Sequence, residues 1–323
     1  MILVDNNYEC LYTNIANGEV NSEISDKFRG YSFFDFKGSL GIYIKRKQIN
    51  ERILGLYDFE TNRELWEIKY REINASILSE SLFLQWSIEG WIEMLSIQTG
   101  QLLWQYSVEV LGNLKDINEP NRVSRILGLI NSVLVVQVSL GANDQNLIGL
   151  DAHTGKLLWL LDEFDYQGVH YPYLSIDIYR FHPNAEHTRL LSINKYFTEI
   201  NPLTGEVIKY NPIMPLDKNG KFSEYNGVGI IPFDGKAEGK YIYFNALVEE
   251  EDGRTALFPA SIGVFNMETE QIEWLHVFRE FWEGAGNALV ANTPPVSDGN
   301  RLYALDLQGT LHIFERVEEK NYS

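Results

Sequence analysis

Short runs of apolar residues alternate with turn-forming residues along most of the chain, and this pattern predicts β-strands. In the clearest stretch, Ile148 and Leu150 lead into a polar turn, and Leu157, Trp159 and Leu161 lead out of it. Branched and aromatic residues of this kind suit the pleated surface of a sheet. A helical period of 3.6 residues is hard to find anywhere in the sequence, so we predict an all-β fold.

The turn in that stretch belongs to a nine-residue phrase that returns along the chain. Its clearest copy occupies residues 151–159 and reads DAHTGKLLW. The other copies begin at Asp58, Ser96, Asn201 and Asn266, so successive copies start 38, 55, 50 and 65 residues apart. The repeating unit is therefore about 40 residues long, with insertions of variable length.

The positions of the phrase have physical roles. Asp, Asn or Ser at the first position can accept hydrogen bonds from the turn backbone, and Gly or Asn at the fifth position accepts a positive φ. These are features of a hairpin turn. Two further apolar runs precede the phrase, and in the third unit they meet at Asn131 and Ser132, where we predict a tight connection between strands. Each unit is thus predicted to contain four short antiparallel strands.

Tandem four-stranded units of this length predict a β-propeller, in which each unit forms one blade and only short sheet edges are exposed. We count six blades, five with the phrase and a sixth without it, and seven is an open alternative. The sixth unit stops one strand short, and the strand–turn–strand pattern of residues 9–20 predicts that the N-terminal strand closes the ring. Residues 1–323 would form a single domain, with closing strands in 1–30, tandem blades in 31–316 and a tail in 317–323.

Tryptophan at the ninth position of the phrase is predicted to pack between neighbouring blades. Trp66, Trp104, Trp159 and Trp274 occupy this position, and we expect them in the core. Trp282 lies outside the phrase, which makes it the better candidate for a contact with a partner.

The phrase D-x-x-T-G-x-x-L-W resembles the tandem repeat of the pyrroloquinoline-quinone-type propeller superfamily, and the resemblance extends over residues 31–316. WD40 and kelch propellers fit less well, because the sequence contains no Trp-Asp dipeptide and no Gly-Gly pair. The resemblance implies the propeller fold, which does not by itself define a function.

Members of that superfamily include quinone-dependent dehydrogenases, which are longer, eight-bladed, exported proteins that hold the quinone over a calcium ion, often beside adjacent cysteines. They also include exported outer-membrane assembly scaffolds that are lipidated on an N-terminal cysteine. This chain departs from both patterns, because Cys10 is its single cysteine and no leader precedes it. We therefore predict no bound cofactor and no metal.

Charge narrows the classes of partner. The chain has 323 residues, with 45 Asp and Glu against 27 Lys and Arg, and a formal net charge of −18. This charge argues against nucleic-acid binding, which requires clustered Lys and Arg, and against docking on anionic lipid. A basic protein is the partner that it favours.

Cysteine and hydropathy patterns indicate the compartment. With Cys10 as the single cysteine, no disulfide can form within the chain. Residues 1–10 have no basic region followed by an apolar stretch, and the most apolar stretch, residues 126–140, is too short and too interrupted for a membrane-spanning helix. We expect a cytoplasmic protein without a membrane partner.

Standard catalytic motifs are missing from the sequence, including HExxH, the Walker loop and the Gly-x-Ser-x-Gly elbow. Residues 182–187 could bring two imidazoles and a carboxylate together, but Pro183 and Asn184 favour an exposed loop between two strands. Gly284 and Gly286 begin like a dinucleotide fingerprint but lack the third glycine and the βαβ context. We assign no catalytic residue and favour a non-enzymatic protein, while an enzyme stays open.

Three acidic clusters, two of them with aromatic neighbours, lie where loops are predicted. The partner-binding residues that we predict are Asp162, Glu163, Asp165, Glu249, Glu250, Glu251, Asp252 and Trp282. One interpretation is that such runs are solvated loops. The functional interpretation is a negative, aromatic-bearing surface, because aromatic residues anchor interfaces and charges steer association.

The sequence therefore favours a propeller that binds a basic protein through loops on one face and is a monomer outside the complex. An immunity protein or inhibitor that blocks a cationic toxin is a specific version. The alternative is a small-molecule or carbohydrate-binding propeller, or a hydrolase, with a site in the central funnel that residues 170–173 could line. A third hypothesis is a sensor domain separated from its signalling partner.

Overall fold

The computed structural model describes most of the repeat region. The described residues are 2–4, 10–12, 28, 31–48, 51–71, 73–112, 120–140, 145–171, 181–183, 188–193, 196–213, 229–249, 261–278, 294–306 and 309–315. Their regular structure is β except for one short 3-10 helix at Val108–Leu111. This confirms the all-β class, and within these residues no helix has the length and apolar character needed to cross a bilayer.

The strands form a series of sheets in which neighbours in the sheet are also neighbours along the chain. A two-stranded sheet contains β1 and β2, at Ile2–Val4 and Cys10–Tyr12. The first four-stranded sheet contains β3–β6, at Tyr31–Lys37, Leu40–Gln48, Glu51–Asp58 and Arg63–Lys69. The second contains β7–β10, at Asn74–Ile77, Leu82–Trp86, Trp91–Ser96 and Leu102–Ser107. The third contains β11–β14, at Arg122–Ile130, Val133–Ser139, Gln145–Asp151 and Leu157–Leu161.

The series continues after a separate hairpin. This hairpin contains β15 and β16, at Phe164–Tyr166 and Val169–Tyr171. The fourth four-stranded sheet contains β17–β20, at Phe181–Pro183, Leu190–Ile193, Tyr196–Ile200 and Val207–Pro212. The fifth contains β21–β24, at Gly229–Glu238, Tyr241–Glu249, Ser261–Asn266 and Gln271–Val277. In the described residues the last sheet has three strands, β25–β27, at Val296–Ser297, Arg301–Leu305 and Leu311–Glu315.

Four strands per repeating unit are confirmed for the units that carry the phrase, and antiparallel pairing is seen throughout the first, second, fourth and fifth sheets.

The chain also divides into two compact units, each of which contains several of these sheets. The first comprises Met1–Ser132, Val136–Asp144 and Leu150–Leu157, and the second comprises Val133–Val135, Gln145–Gly149 and Leu158–Ser323. The number of blades, ring closure by the N-terminal strand and the single-domain organisation stay predictions.

Each of the two compact units has an apolar core built from the inner positions of its strands. In the first unit, Ile42, Leu54, Leu56 and Phe83 are buried together. In the second unit, the core joins the fourth, fifth and last sheets and includes Phe197, Phe244, Ile262, Phe265 and Leu302. Removal of such side chains from water is the main stabilising contribution to the fold.

Tight turns form where the sequence predicts them. Asn131 and Ser132 have φ values of 48° and 66°, the double positive φ of a two-residue hairpin turn, and they connect β11 to β12. The fifth position of the phrase has a positive φ in all five copies. The values are 58° at Asn62, 66° at Gly100, 69° at Gly155, 73° at Gly205 and 56° at Glu270.

The first position of the phrase accepts hydrogen bonds as predicted. In the third copy, Oδ1 of Asp151 accepts from the backbone N–H groups of His153 at 3.0 Å and Thr154 at 2.7 Å, and from the Thr154 hydroxyl at 2.8 Å. These hydrogen bonds hold the pKa of Asp151 below its usual range, and the bond from the Thr154 hydroxyl has the largest effect. Side-chain hydrogen bonds within one copy of the phrase therefore stabilise the turn without help from another sheet.

Three of the phrase tryptophans pack on the turn of the following copy, which confirms the predicted packing between neighbouring units. Trp66, Trp104 and Trp159 are each only 8% exposed. Each indole Nε1 donates to the backbone carbonyl of the second residue in the next copy. The bonds are Trp66 to Ile97 at 2.5 Å, Trp104 to Ala152 at 2.8 Å and Trp159 to Pro202 at 2.9 Å.

The same three indoles cover the glycine at the fifth position of the next copy. A Cβ atom added there would lie 2.8 Å from the Trp66 ring at Gly100, 2.6 Å from the Trp104 ring at Gly155 and 2.7 Å from the Trp159 ring at Gly205. These distances are shorter than van der Waals contact, so a side chain at the fifth position would displace the indole. We call this combination of a hydrogen-bonded indole and a covered glycine the indole–turn contact.

Trp274 departs from the expectation that every phrase tryptophan is in the core. It is 36% exposed, and its ring contacts Phe314 of β27 with the centroids 5.2 Å apart. Trp274 is exposed because the unit that follows it, which forms the last sheet, lacks the phrase. That unit therefore offers no turn of the phrase for the indole to pack on among the described residues.

Candidate functional site

The acidic segment after the third sheet forms a hairpin, whereas the sequence predicted a loop. Asp165 pairs with His170 across the two strands. Gln167 and Gly168 form the turn with φ values of 51° and 80°, which matches the right-handed twist of the strands. We call residues 162–171 the acidic hairpin.

Stacked aromatic rings hold the acidic hairpin on the fourth sheet. Phe164 and Tyr171 stack with their centroids 5.0 Å apart, and both meet the ring of Tyr210 edge-on, at 5.0 Å and 4.9 Å. Tyr196 stacks on the same ring at 4.2 Å. Such aromatic pairs contribute about 0.5–1.5 kcal/mol each beyond the area they bury. The hairpin is therefore an ordered projection from the sheet.

A polar chain continues from the hairpin to the turn of the fifth copy. The Tyr166 hydroxyl donates to Oδ1 of Asn211 at 3.1 Å, and Nδ2 of Asn211 donates to Oε2 of Glu270 at 2.6 Å. Nζ of Lys209 lies 2.8 Å from Oε1 of Glu270. Lys209 and Glu270 occupy the ninth position of one copy and the fifth of the next, so this ion pair stands where other copies have tryptophan and glycine.

The surroundings of Glu270 and Lys209 favour the charged form of each group. Burial by itself raises the pKa of Glu270, but the hydrogen bonds from Lys209 and Asn211 outweigh it and hold that pKa below its usual range. Burial by itself lowers the pKa of Lys209, and Glu270 reverses the effect and raises it. Both groups therefore stay ionised at neutral pH.

The predicted acids of the hairpin lie together at its surface. Glu163 and Asp165 have side chains that are 64% and 80% exposed, while Asp162 is half-buried and accepts from the backbone N–H of Glu163 at 2.8 Å. His170 lies between the exposed acids, with Nδ1 3.0 Å from Asp165 and Nε2 3.9 Å from Glu163. The arrangement presents carboxylates to solvent from a fixed backbone.

The remaining predicted partner-binding residues are not joined to this hairpin by any described contact. Glu249 is the last residue of β22, where the sequence predicted a connection between strands, and its side chain lies outside the described part. Glu250, Glu251, Asp252 and Trp282 lie outside the described residues.

A second feature escaped prediction from the sequence. Beside Trp274, the fifth and last sheets line an open cavity of about 690 Å³. Its aromatic lining includes Tyr241, Tyr243, Trp274 and Phe314, and its charged lining includes Glu273, Arg301 and Glu315. Nη2 of Arg301 lies 3.4 Å from Oε1 of Glu315. The missing phrase in the last unit was the sequence signal that could have indicated an unfilled position here.

The described residues do not fit a metal-held cofactor. No group of three or more His, Cys, Asp and Glu side chains among them lies close enough together to bind a metal ion. Of the segment 182–187, which the sequence predicted as a loop between two strands, His182 and Pro183 end β17, where His182 pairs with Leu191. His187 lies outside the described part of the chain.

Local sequence similarity connects the chain to quinone-dependent enzymes. It is 31% identical over 122 residues to the dehydrogenase subunit of a quinone alcohol dehydrogenase from Acetobacter aceti, covering 37% of this chain and 15% of that protein. The corresponding subunit from Gluconobacter oxydans is 35% identical over 105 residues, covering 32% of this chain and 12% of its own length. The matches thus span less than a sixth of these relatives. No protein-family model matches the chain.

Similarity of fold extends over almost the whole chain. The crystal structure of the computationally designed Ika8 protein superimposes with a TM-score of 0.55 and 13% identity, over 98% of this chain and 80% of that one. At this identity the likeness concerns the fold. The local sequence matches to the quinone alcohol dehydrogenase subunits confirm the resemblance noted from the turn phrase.

Proposed function

The chain resembles the pyrroloquinoline-quinone-type propeller superfamily in repeat, local sequence and fold, and from this premise we propose that it is a non-enzymatic propeller that binds a basic protein. The observation that carries the proposal is the acidic hairpin. A loop that merely keeps a protein hydrated needs no anchor, whereas this segment holds exposed carboxylates on a backbone fixed by four aromatic rings. Fixed charges lower the entropy lost on binding and steer encounter with an opposite charge.

The surrounding charge supports the same class of partner. The chain has a net charge of −18, and a negative field of this size accelerates the approach of a cationic protein. In our proposal the protein acts in the cytoplasm, is a monomer outside the complex and forms a six-blade ring closed by its N-terminal strand. An immunity protein that neutralises a cationic toxin is one specific form, and Glu249, Glu250, Glu251, Asp252 and Trp282 would extend the binding surface.

The test is comparative capture from an extract of the native cell, measured by quantitative mass spectrometry. The bait variant carries Asp162→Asn, Glu163→Gln and Asp165→Asn, which remove the charges of the hairpin. The matched control carries Glu60→Gln, Glu80→Gln and Glu89→Gln, three exposed acids of the first and second units of the repeat.

We expect a basic protein that is captured by the wild type and the control but reduced at least about tenfold with the hairpin variant. Tenfold corresponds to about 1.4 kcal/mol, the contribution of one or two charge pairs at an interface. Equal capture by the hairpin variant and the control would contradict the proposal.

The small-molecule or carbohydrate alternative has less support. Of the residues that the sequence suggested for a funnel site, Tyr171 is engaged with Phe164 and Tyr210, and His170 is exposed on the hairpin between Glu163 and Asp165. A saturable thermal stabilisation by a member of a small-molecule library, unchanged by the hairpin variant, would favour it.

A further inference from the structure

A group of exposed basic residues lies at one end of the first sheet, although the chain as a whole has a net charge of −18. The last residues of β4, the first of β5 and the last of β6 form this end of the sheet. The group, which we call the basic end, consists of Arg46, Lys47, Arg52, Lys69 and Arg71, and all five residues are exposed. It belongs entirely to the first compact unit.

Strand pairing brings these residues together. Arg46 lies directly opposite Arg52 in the register of β4 and β5, and residues in this relation have Cβ atoms about 4.5–5.5 Å apart. Lys69 pairs with the residue that follows Arg52, and the backbone N–H of Tyr70 donates to the Arg52 carbonyl at 3.0 Å. The end of β6, and Arg71 just after it, therefore lie beside the arginine pair.

A β-bulge adds a further cation to the same place. The pairing of β4 with β5 passes from Arg46 opposite Arg52 to Gln48 opposite Glu51, so that Lys47 has no residue opposite it. Bulges interrupt the hydrogen bonds between strands, and they are frequent beside binding and active sites, where they redirect a side chain.

The acids near this end do not neutralise the basic residues. Glu93 lies 3.8 Å from Arg71, and Glu51 is half-buried at the start of β5. Among the described residues, no carboxylate forms an ion pair with the other four cations of the basic end. Five basic residues against these two acids leave an excess of positive charge.

The nearest other acids on β6 are already engaged. Glu64 and Glu67 form ion pairs with Lys45, and the Tyr31 hydroxyl donates to Glu64 at 2.6 Å. These contacts hold the pKa of Glu64 below its usual range, although burial by itself raises it. The two carboxylates are therefore fixed on Lys45 and not on the basic end.

The position of the arginine pair separates the basic end from a device against aggregation. Lysine on an edge strand commonly prevents pairing with other chains. Arg46 and Arg52, however, lie on β4 and β5, which are the two central strands of their sheet. Like charges directly opposite each other on neighbouring strands destabilise a sheet, so an anion that bridges them would relieve a cost that the free protein bears.

We propose that the basic end binds a short acidic segment of a partner protein through its carboxylates. A guanidinium group holds a carboxylate through two parallel N–H···O bonds, a geometry that lysine does not provide. Alternate residues of an extended segment lie about 6.6 Å apart on one side of it. Carboxylates at this spacing match two arginine side chains whose Cβ atoms are about 5 Å apart.

A short segment fits the charge of the molecule better than a long polyanion does. Nucleic acid or an anionic membrane would extend beyond the basic end and meet the negative field of a chain with a net charge of −18. A few carboxylates stay within about 8 Å of the basic residues, the Debye length at physiological salt, and are screened from charges farther away.

This inference goes beyond the proposed function. The basic end and the acidic hairpin have no residue in common, and their ligands have opposite charges. Binding at one surface can therefore be tested while the other is removed.

The experiment measures binding of a labelled synthetic peptide of alternating glutamate and serine by fluorescence anisotropy. A peptide of alternating glutamine and serine is the matched control. The test variant carries Arg46→Gln and Arg52→Gln, and a second test variant carries Lys47→Gln and Lys69→Gln. The control variant carries Arg63→Gln and Lys156→Gln, which remove two exposed cations outside the basic end.

We expect saturable binding of the glutamate peptide to the wild type and to the control variant. The arginine variant should bind it at least about tenfold more weakly, since tenfold is about 1.4 kcal/mol, the contribution of one or two charge-assisted contacts. The lysine variant should show a smaller loss, and it keeps the test informative if the arginine variant does not fold. The hairpin variant should bind the peptide without loss, so failure here is distinguishable from failure of the proposed function.

Urea denaturation gives a readout that a purely structural role of the arginines would move in the other direction. Removal of two like charges that face each other should leave the free energy of unfolding equal or raise it. A lower free energy of unfolding together with unchanged peptide binding would overturn the proposal, because the arginines would then serve the sheet alone.

Three further outcomes would overturn it. Equal binding of the glutamine peptide would show that the carboxylates are not recognised. Tighter binding of a single-stranded oligonucleotide or of phosphatidylserine vesicles than of the glutamate peptide would make the basic end a phosphate-binding surface. Dimerisation of the wild type that both the arginine variant and the hairpin variant abolish would assign the basic end to the acidic hairpin of a second copy.

Discussion

At the scale of single residues, the glycine at the fifth position of the phrase serves two purposes. It adopts a positive φ, which Asn62 and Glu270 also manage, and it leaves room for an indole, which they cannot. The second purpose explains why tryptophan and glycine occur together in this chain. Substitutions can separate the two effects.

Replacing Gly155 with alanine should cost more than replacing Gly239. Both have a positive φ, 69° and 58°, but an added Cβ would lie 2.6 Å from Trp104 at Gly155 and within 4 Å of nothing at Gly239. We expect Gly239→Ala to lower the free energy of unfolding by about 1–2 kcal/mol, the cost of the left-handed backbone for a residue that has a Cβ atom. Gly155→Ala should lower it by about 1–3 kcal/mol more, the range for overpacking. Urea denaturation measures both, and equal losses would contradict the role of the indole.

Residue-level prediction from sequence went as far as local chemistry allows. The hydrogen-bonding role of Asp151 and the positive φ of the fifth position follow from residue types within one phrase. The burial of Trp104 follows from the recurrence of the phrase, because its indole packs on the turn of the next copy. The exposure of Trp274 depends on the next unit, which lacks the phrase, and its contact with Phe314 joins residues far apart in the chain that the phrase does not encode.

At the scale of elements, the acidic hairpin shows how an insertion becomes part of the structure. Its sequence has a charged composition that predicts a solvated loop, but Phe164 and Tyr171 lie on one side of the two strands and meet Tyr210. Alternation of side chains between the faces of a hairpin separates the anchor from the acids. The sequence contained this alternation, although the receiving ring lies some forty residues away and was not predictable.

Loss of the anchor should free the hairpin without unfolding the protein. We expect Tyr171→Ala to increase hydrogen exchange of residues 164–171, because it removes the contacts with Phe164 and Tyr210 at 5.0 Å and 4.9 Å. Exchange in the fourth sheet should change little. Val169→Ala, at an exposed position of the same hairpin, is the control and should leave exchange unchanged. Hydrogen exchange of residues 164–171 that is the same in the Tyr171→Ala variant as in the wild type would contradict the anchoring role of this ring.

The contact between Lys209 and Glu270 should appear as a pH dependence of stability. A carboxylate with a lowered folded-state pKa stabilises the protein above its unfolded pKa of about 4.3, and this contribution is lost as the pH falls through the folded-state value. We expect Glu270→Gln to reduce the loss of unfolding free energy between neutral pH and that acidic range. Glu206→Gln, at an exposed position, should retain the wild-type profile. Identical profiles for all three proteins would contradict the assignment.

At the scale of the whole molecule, repetition is what made the fold predictable. Self-similarity at five positions indicates units of one kind, and it identified the strand number of each unit and their order. Closure of a ring is not predictable from the repeat in the same way. It depends on contacts between the two ends of the series, and the phrase that marks the other contacts is missing from the last unit.

The net charge should make stability depend on salt. With a formal charge of −18, repulsion between carboxylates favours expansion of the chain, and counterions reduce it. We expect the free energy of unfolding to rise when NaCl increases from about 10 mM to about 150 mM, as the Debye length falls from about 30 Å to about 8 Å. Denaturation at constant pH measures it. A decrease would mean that favourable ion pairs such as Lys209 with Glu270 outweigh the repulsion.

The exchange of tryptophan and glycine for Lys209 and Glu270 has a consequence for assembly of the repeat. Sheets joined by identical contacts could dock in the wrong sequence while the protein folds, since each indole would accept any glycine turn. A lysine finds no partner in a glycine turn, and an indole finds no space beside Glu270. Among the described residues the junction at Lys209 and Glu270 therefore differs chemically from the three indole–turn contacts, and it disfavours docking of the fifth sheet against a sheet that ends in tryptophan.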